Sequence, residues 1–256
     1  MAVVALVGGD AALGSVLRRG LPATTRTRLC RSTAQVSTLL ERELVDAVVL
    51  RARHARWNTA IPEFRERFPR IPVFGLGPFR PDDGRTLAAA LAAGVQAFLV
   101  EGVDESVVGE FLAARTASRQ RERELADAPR LLRLSEELQQ RAWREVLGRA
   151  ARRTTTTELA RALGTSREHL SREFAAGGAP NLKRVIDLAR ITCAADLLRN
   201  PGYDIPAVAR ILKFSAAGHL NGTARRIAGV AASELARLGP RGVLLRFLRG
   251  RTRSRM

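Results

Sequence analysis

The chain has 256 residues, 46% of them apolar and 27% charged, which supplies core for one large or two ordinary domains and excludes a chain disordered throughout. No apolar run approaches the ~20 residues of a membrane-spanning helix, and the opening MAVVALVGGDAALGS lacks the positive start of a secretory signal. Cys30 and Cys193 are too few for a disulfide framework or a zinc site, and no metal or cofactor is expected, so a cytoplasmic setting is the default. The net charge is +18 and is unevenly placed: residues 1–116 hold 15 basic against 12 acidic side chains, residues 117–256 hold 28 against 13. Only Lys183 and Lys213 are lysines, so the excess is arginine, the better partner for bidentate phosphate contacts. Such asymmetry points to a polyanion, most simply nucleic acid, as partner of the C-terminal half. A basic face for acidic lipids is the rival, but no lysine-rich amphipathic helix supports it.

The N-terminal half alternates strand and helix. Apolar runs at 2–7 (AVVALV), 45–50 (VDAVVL), 71–76 (IPVFGL) and 97–100 (AFLV), with a weaker one at 25–30, predict strands. Helical spacing occupies 11–20, 32–43, 60–68, 84–93 and 104–115. Near-continuous apolar strands are covered on both faces, so this region is expected to be a doubly wound, five-stranded parallel sheet. The turn Gly8-Gly9-Asp10-Ala11-Ala12-Leu13-Gly14 follows the first strand. It meets neither the dinucleotide fingerprint nor the phosphate-binding P-loop, having Ser15 and Val16 where Lys and Ser/Thr belong. A tight turn needing glycine dihedrals is the plain alternative to a phosphate cradle there.

This pattern over residues 2–116 resembles a response-regulator receiver domain. The resemblance implies an acidic pair after the first strand, where Gly8 and Gly9 stand with Asp10 beside them. It implies a phospho-accepting aspartate at the end of the third strand, where Arg51 stands. It implies a hydroxyl after the fourth strand and a lysine after the fifth, where Gly77 and the pair Glu101–Gly102 stand. Without those oxygen ligands magnesium has no site, and without the aspartate there is no acyl-phosphate nucleophile. The expectation is a pseudo-receiver that takes no phosphate.

Residues 117–136 mix Arg and Glu and read as a helical linker with a solvated face and a break at Pro129. Leu131, Leu132, Leu134 and Leu138 are expected to pack on a domain or on a second copy, with too few heptads to define a dimer seam.

The remaining signal lies in 137–238. Thr155-x-x-Glu158 is a capping box that starts a helix near Thr156, with Leu159, Ala160 and Leu163 inward and Gly164 ending it. Ser166-x-x-His169 starts the next helix, with Leu170 and Phe174 inward. Helix, short glycine turn and helix is a helix-turn-helix pattern. A second copy runs through 204–213 (DIPAVARILK), with Asp204 as N-cap, then the turn Phe214–Ser215 and a helix over 216–228. Between them a helix over 181–199 carries the stripe Leu182, Val185, Ile186, Ala189, Cys193 and Leu197. Two such units on one rigid helix suit successive major grooves, about 34 Å apart.

The segments LARALGTSREHLSREF, LARITCAADLL and IPAVARILKFSAAGHLNGTARRIAG resemble the DNA-binding domain of the AraC/XylS regulators over about residues 137–238. Lys213, Ala224 and Ala232 depart from a usual glycine, phenylalanine and proline, which implies a second unit that docks less firmly. The resemblance places the first unit's DNA contacts on Ser166, Arg167, Glu168, His169, Ser171 and Arg172. Arg172 is suited to the O6 and N7 of guanine. In the second unit the reading positions fall on Ala217, Gly218, His219, Asn221 and Gly222, with Ser215 in the turn and Arg225 and Arg226 placed for phosphates. The plain alternatives are solvated arginines at 167 and 172 and a locally bonded His169. His54 reads as an exposed loop residue, and Trp143 and Cys193 as core. Residues 239–256 form an arginine-rich tail with an apolar start, adding sequence-independent attraction to phosphate.

The expected protein is therefore a non-enzymatic, phosphorylation-independent, sequence-specific transcription regulator of double-stranded DNA. It would act by contact with RNA polymerase or by blocking a promoter. Its N-terminal domain would respond to a ligand, a protein partner or homodimerisation. The competing expectation is a protein-interaction module with weakly specific DNA binding. A nucleotide-dependent enzyme built on the Gly8–Gly14 turn lacks an acid–base pair in the sequence.

Overall fold

A computed structural model describes residues 2–21, 23, 25–51, 57–175 and 178–253. The chain divides into two compact units. Residues 1–120 with Asn200–Gly202 form the first, and 121–199 with 203–256 the second.

The first unit has five strands: β1 (Ala2–Val7), β2 (Thr25–Cys30), β3 (Val45–Arg51), β4 (Val73–Gly77) and β5 (Ala97–Val100). All neighbours are parallel, in the order β2-β1-β3-β4-β5. The helices are α1 (Ala11–Gly20), α2 (Thr33–Leu40), α3 (Trp57–Arg67), α4 (Gly84–Ala92) and α5 (Val108–Ala113). The period-2 alternation of strand side chains sorts the core. Val4, Leu6, Ala47, Val49, Phe74, Leu76 and Leu99 meet Leu13, Leu17, Val108 and Leu112 beneath α1 and α5. Val48, Leu50 and Val73 face the other way, toward Val36 of α2 and Ile61 and Phe64 of α3. Both faces are covered, which is why these strands read as unbroken apolar runs.

The expected doubly wound sheet is present, with shifted boundaries. The strand expected at 71–76 is Val73–Gly77. The helix expected over 104–115 splits into a 3-10 turn at Asp104–Ser106 and α5. There Asp104 turns its carboxylate onto the Val100 N–H at 2.7 Å. Gly8 has φ +70°, and a Cβ on Gly9 would lie 2.5 Å from the Leu6 side chain. Both glycines are thus required by the turn itself. His54 lies outside the described residues.

The second unit is helical. Its elements are α6 (Ala117–Glu124), which starts in the first unit, α7 (Ala128–Leu131), α8 (Glu137–Gly148), α9 (Thr156–Ala162), α10 (Arg167–Ala175), α11 (Leu182–Leu197), α12 (Ile205–Ile211), α13 (Ala217–Ala228) and α14 (Leu235–Arg253). α11 is the axle: thirteen of its residues are buried, and α8, α13 and α14 pack on it. Cys193 and Trp143 of α8 are both in the core.

Two expectations need correction. The 117–136 segment does not present only a solvated face. Arg121 is 2% exposed and pairs with the equally buried Asp196 at 3.2 Å, while Leu125, Ala128, Leu132 and Leu134 are buried. Pro129 sits in the first turn of α7, where a missing N–H costs nothing, rather than breaking a helix. Beyond Leu238 the apolar start of the tail is helical: α14 joins two helices across a kink at Gly239 (φ +62°), just before Pro240, reaches Arg253, and buries Val243, Leu244 and Phe247. Gly239 lies beside Arg199 and Phe247 beneath Arg184, so α14 runs antiparallel to α11. Arg241 adds a two-pronged ion pair to Asp127, at 2.5 and 2.7 Å. No described helix is long and apolar enough to cross a membrane.

Candidate nucleic-acid interface

The two helix-turn-helix units are built from the same local chemistry. Thr155 caps α9 by accepting the Glu158 N–H at 3.2 Å, and the Glu158 carboxylate accepts the Thr155 N–H at 2.8 Å. Those bonds hold the Glu158 carboxyl below its ordinary pKa. In the second unit Asp204 caps α12 by accepting the Ala207 N–H at 2.7 Å. The turns then repeat bond for bond. Gly164 N–H donates to Arg161 O at 3.2 Å and Thr165 N–H to Ala160 O at 3.0 Å. Forty-nine positions later (161 to 210, 160 to 209), Lys213 N–H donates to Arg210 O at 3.2 Å and Phe214 N–H to Ala209 O at 2.8 Å. Gly164 has φ +68° and Lys213 φ +58°, so the lysine adopts a left-handed conformation that glycine takes without steric cost. Beyond the turn the offset becomes fifty: Leu170 and Phe174 correspond to the buried Leu220 and Ala224.

In the first unit Ser166 caps α10, its Oγ accepting the His169 N–H at 3.1 Å. Ser166, Arg167, Glu168, His169, Ser171 and Arg172 are all exposed. Glu168 and Arg172 share a helix face, being four residues apart, with His169 beside them. Arg167 and Arg172 make no ion pair among the described residues. Gln139 of α8, fully buried, steadies the far end of α10 by donating to Glu173 O at 2.7 Å.

In the second unit several of the expected side chains also bond within the protein. Along α13, Gly218, Gly222 and Arg225 occupy the outward face, and a Cβ at either glycine would meet open space. His219 is exposed, but its Nδ1 lies 3.0 Å from Ser215 Oγ, and its ring stands edge-on to Phe214 at 5.4 Å. Asn221 is half-buried, and its side-chain oxygen accepts the Ala232 N–H at 2.9 Å. That acceptor is spent on the 3-10 turn Ala232–Glu234. Arg226 is exposed yet paired with Asp187 of α11 at 2.9 Å, while Arg225 has no ion pair among the described residues.

Arg190 of α11 was legible only as part of a motif. Its guanidinium is buried, lies 3.8 Å from the Phe214 ring centre, and donates to Leu212 O at 2.9 Å. Burial pushes its pKa below the ordinary value, and Asp187 opposes that shift. Arg190 therefore ties the second unit's turn to α11.

At the carboxyl end of the sheet, Arg51 donates to Asp10 at 3.2 Å and also to Glu101. Bonding to Glu101, then Asp10, raises its pKa further. Asp10 is itself the N-cap of α1, accepting the Leu13 N–H at 2.9 Å. The guanidinium thus joins the ends of β1, β3 and β5, passing over β4 where Gly77 has no side chain. No group of three or more His, Cys, Asp or Glu among the described residues is placed to hold a metal ion.

Residues 159–237 match a protein family described as a helix-turn-helix domain. That span runs from α9 through both turns to the start of α14. No curated protein matches the chain. Among solved structures, FixJ from B. japonicum aligns at 15% identity over 73% of this chain and 95% of its own, with a TM-score of 0.38. RcsB from Salmonella enterica serovar Typhimurium, solved bound to promoter rprA in the presence of phosphomimetic BeF3-, aligns at 18% identity over 73% of this chain and 98% of its own, with a TM-score of 0.36. The response regulator StyR aligns at 18% identity over 72% of this chain and 96% of its own, with a TM-score of 0.34. At scores this low the fold assignment rests on the strand order and helix packing of this chain.

Proposed function

We propose that this protein is a sequence-specific, double-stranded DNA-binding transcription regulator whose first helix-turn-helix unit reads bases and whose second grips the backbone. The observation that carries this reading is the repeated capped helix, left-handed turn and exposed second helix, both copies fixed to one buried helix, α11. The first unit exposes Arg167, Glu168, His169 and Arg172 on a rigid helix, a set able to donate to and accept from base edges in a major groove. The second presents glycine at 218 and 222, spends the Asn221 acceptor on its own backbone, and keeps arginines at its end. Such a surface approaches phosphate closely and carries little base-specific chemistry.

Selection of genomic fragments by the purified protein at two salt concentrations tests this. A recurring motif that survives the higher salt is expected. Binding that collapses with salt and yields no motif refutes base readout and leaves counterion release alone, the signature of the competing interaction-module reading.

The N-terminal unit then serves as an input domain that works without phosphoryl transfer, through a ligand, a protein partner or self-association. Its support is Arg51 at the end of β3, bridged to Asp10 and Glu101. Stoichiometric labelling of a native aspartate by acetyl phosphate would refute it. The output would be contact with RNA polymerase or occlusion of a promoter.

A further inference from the structure

Arg226 and His219 lie seven residues apart, two turns of α13, and share the flank of that helix that borders α11. One turn of α11 supplies support to both. Arg190 underlies Phe214, against which His219 packs. Asp187, three residues earlier, holds Arg226 through a single oxygen, Oδ2 to Nη2 at 2.9 Å. The Asp187 side chain is 14% exposed and the Arg226 side chain 57% exposed. A guanidinium has five donors in a rigid plane. One Nη held by a covered carboxylate restrains the guanidinium, while the exposure of the side chain leaves its other donors accessible. The exposed stem would otherwise sample many rotamers, at an entropic cost to every bond it makes.

We propose that Asp187 is a positioning residue for DNA binding: it orients Arg226 so that its accessible donors clamp a backbone phosphate beside the second recognition helix. The proposal rests on the DNA-binding reading above. It runs against bare electrostatics, in which a carboxylate near the duplex repels it, so that its removal tightens binding.

The test is equilibrium binding of the full-length protein to the duplex recovered by fragment selection and to a scrambled duplex, across a salt series. Arg226→Ala is expected to flatten the slope of log K against log salt by about 0.9, one phosphate, on both duplexes. Asp187→Ala is expected to flatten it equally, and the double variant to lose nothing more. Asp187→Asn retains an acceptor for Arg226 without the charge and is expected to keep the parent slope. Tighter binding or an undiminished slope in Asp187→Ala overturns the proposal. If Asp187→Ala proves unfolded by circular dichroism, Asp187→Asn decides alone: a parent-like slope supports orientation, and tighter binding on both duplexes leaves Asp187 a charge effect only. A parent protein that binds neither duplex overturns the DNA-binding reading itself, a different outcome from an unaltered slope in the variants.

Discussion

Replacing Arg121 by alanine removes one half of a buried ion pair whose partners are 2% and 5% exposed at the side chain and 3.2 Å apart. At an effective dielectric of about 20, two unit charges at that separation attract by roughly 5 kcal/mol, an upper bound on what the contact returns. The larger effect is on the carboxylate left behind: Asp196 of α11 stays buried and loses the Arg121 guanidinium. Breaking one side of such a pair costs about 3–5 kcal/mol. For a helical unit of this size that lowers the melting midpoint by roughly 10 °C or more. Trp143 is the buried reporter in the second unit, and Trp57→Phe makes it the only tryptophan, since the chain has two. Urea unfolding followed by Trp143 emission should therefore show Arg121→Ala and Asp196→Ala each destabilised within that range. The apolar pair Arg121→Met with Asp196→Leu should recover most of the loss, because neither charge then remains buried. Single losses below about 1 kcal/mol would refute the argument and return α6 to a weakly docked linker.

Arg172→Ala should leave the melting point unchanged, since the side chain is exposed and makes no ion pair among the described residues. It should cost about 1–3 kcal/mol of binding to the preferred duplex and relax preference at one base pair, read by competition against single-base variants of the site. Lys213→Gly should stabilise the second unit by roughly 0.5–1 kcal/mol, because φ +58° strains any side chain, and calorimetry showing no gain would contradict that strain. Asp127 is held below its ordinary pKa chiefly by its bonds from Arg241. A depressed carboxylate adds stability that is fully present above its unfolded-state pKa of about 3.9 and is lost as pH falls through its lower folded value. Asp127→Asn should remove that portion of the acid-side dependence in melts taken from pH 5 downward, and an unchanged profile would show that the pair does not fasten α14.

The features legible in the sequence share one property: their physics is complete within a few residues. Strand runs covered on both faces, the Thr155–Glu158 box, the Asp204 cap and the apolar stripe of α11 each follow from periods of 2 or 3.6 and from bonds three or four residues apart. Both helix-turn-helix units were readable for that reason, as was the exposure of α10. The sheet order needed more than local pattern. It follows because short crossovers over a twisted parallel sheet leave few arrangements open.

Tertiary structure alone decided which polar side chains remain available, because their partners lie far along the chain. Arg51 meets Asp10 and Glu101 across separations of 41 and 50 residues, so an apparent loss of chemistry at the end of β3 becomes a bridge across the sheet. Asn221 looks like a base reader until Ala232 folds back onto its oxygen, and Arg226 looks like a free phosphate contact until α11 brings Asp187 beneath it. Arg121 sits in a run of arginines and glutamates that locally resembles any solvated helix; only the docking of α6 on α11 selects it for burial. Local pattern determines where helices and strands begin, end and turn their apolar faces. Which charges those faces enclose, and which they leave to meet another molecule, is determined by the packing of elements that are distant in the sequence.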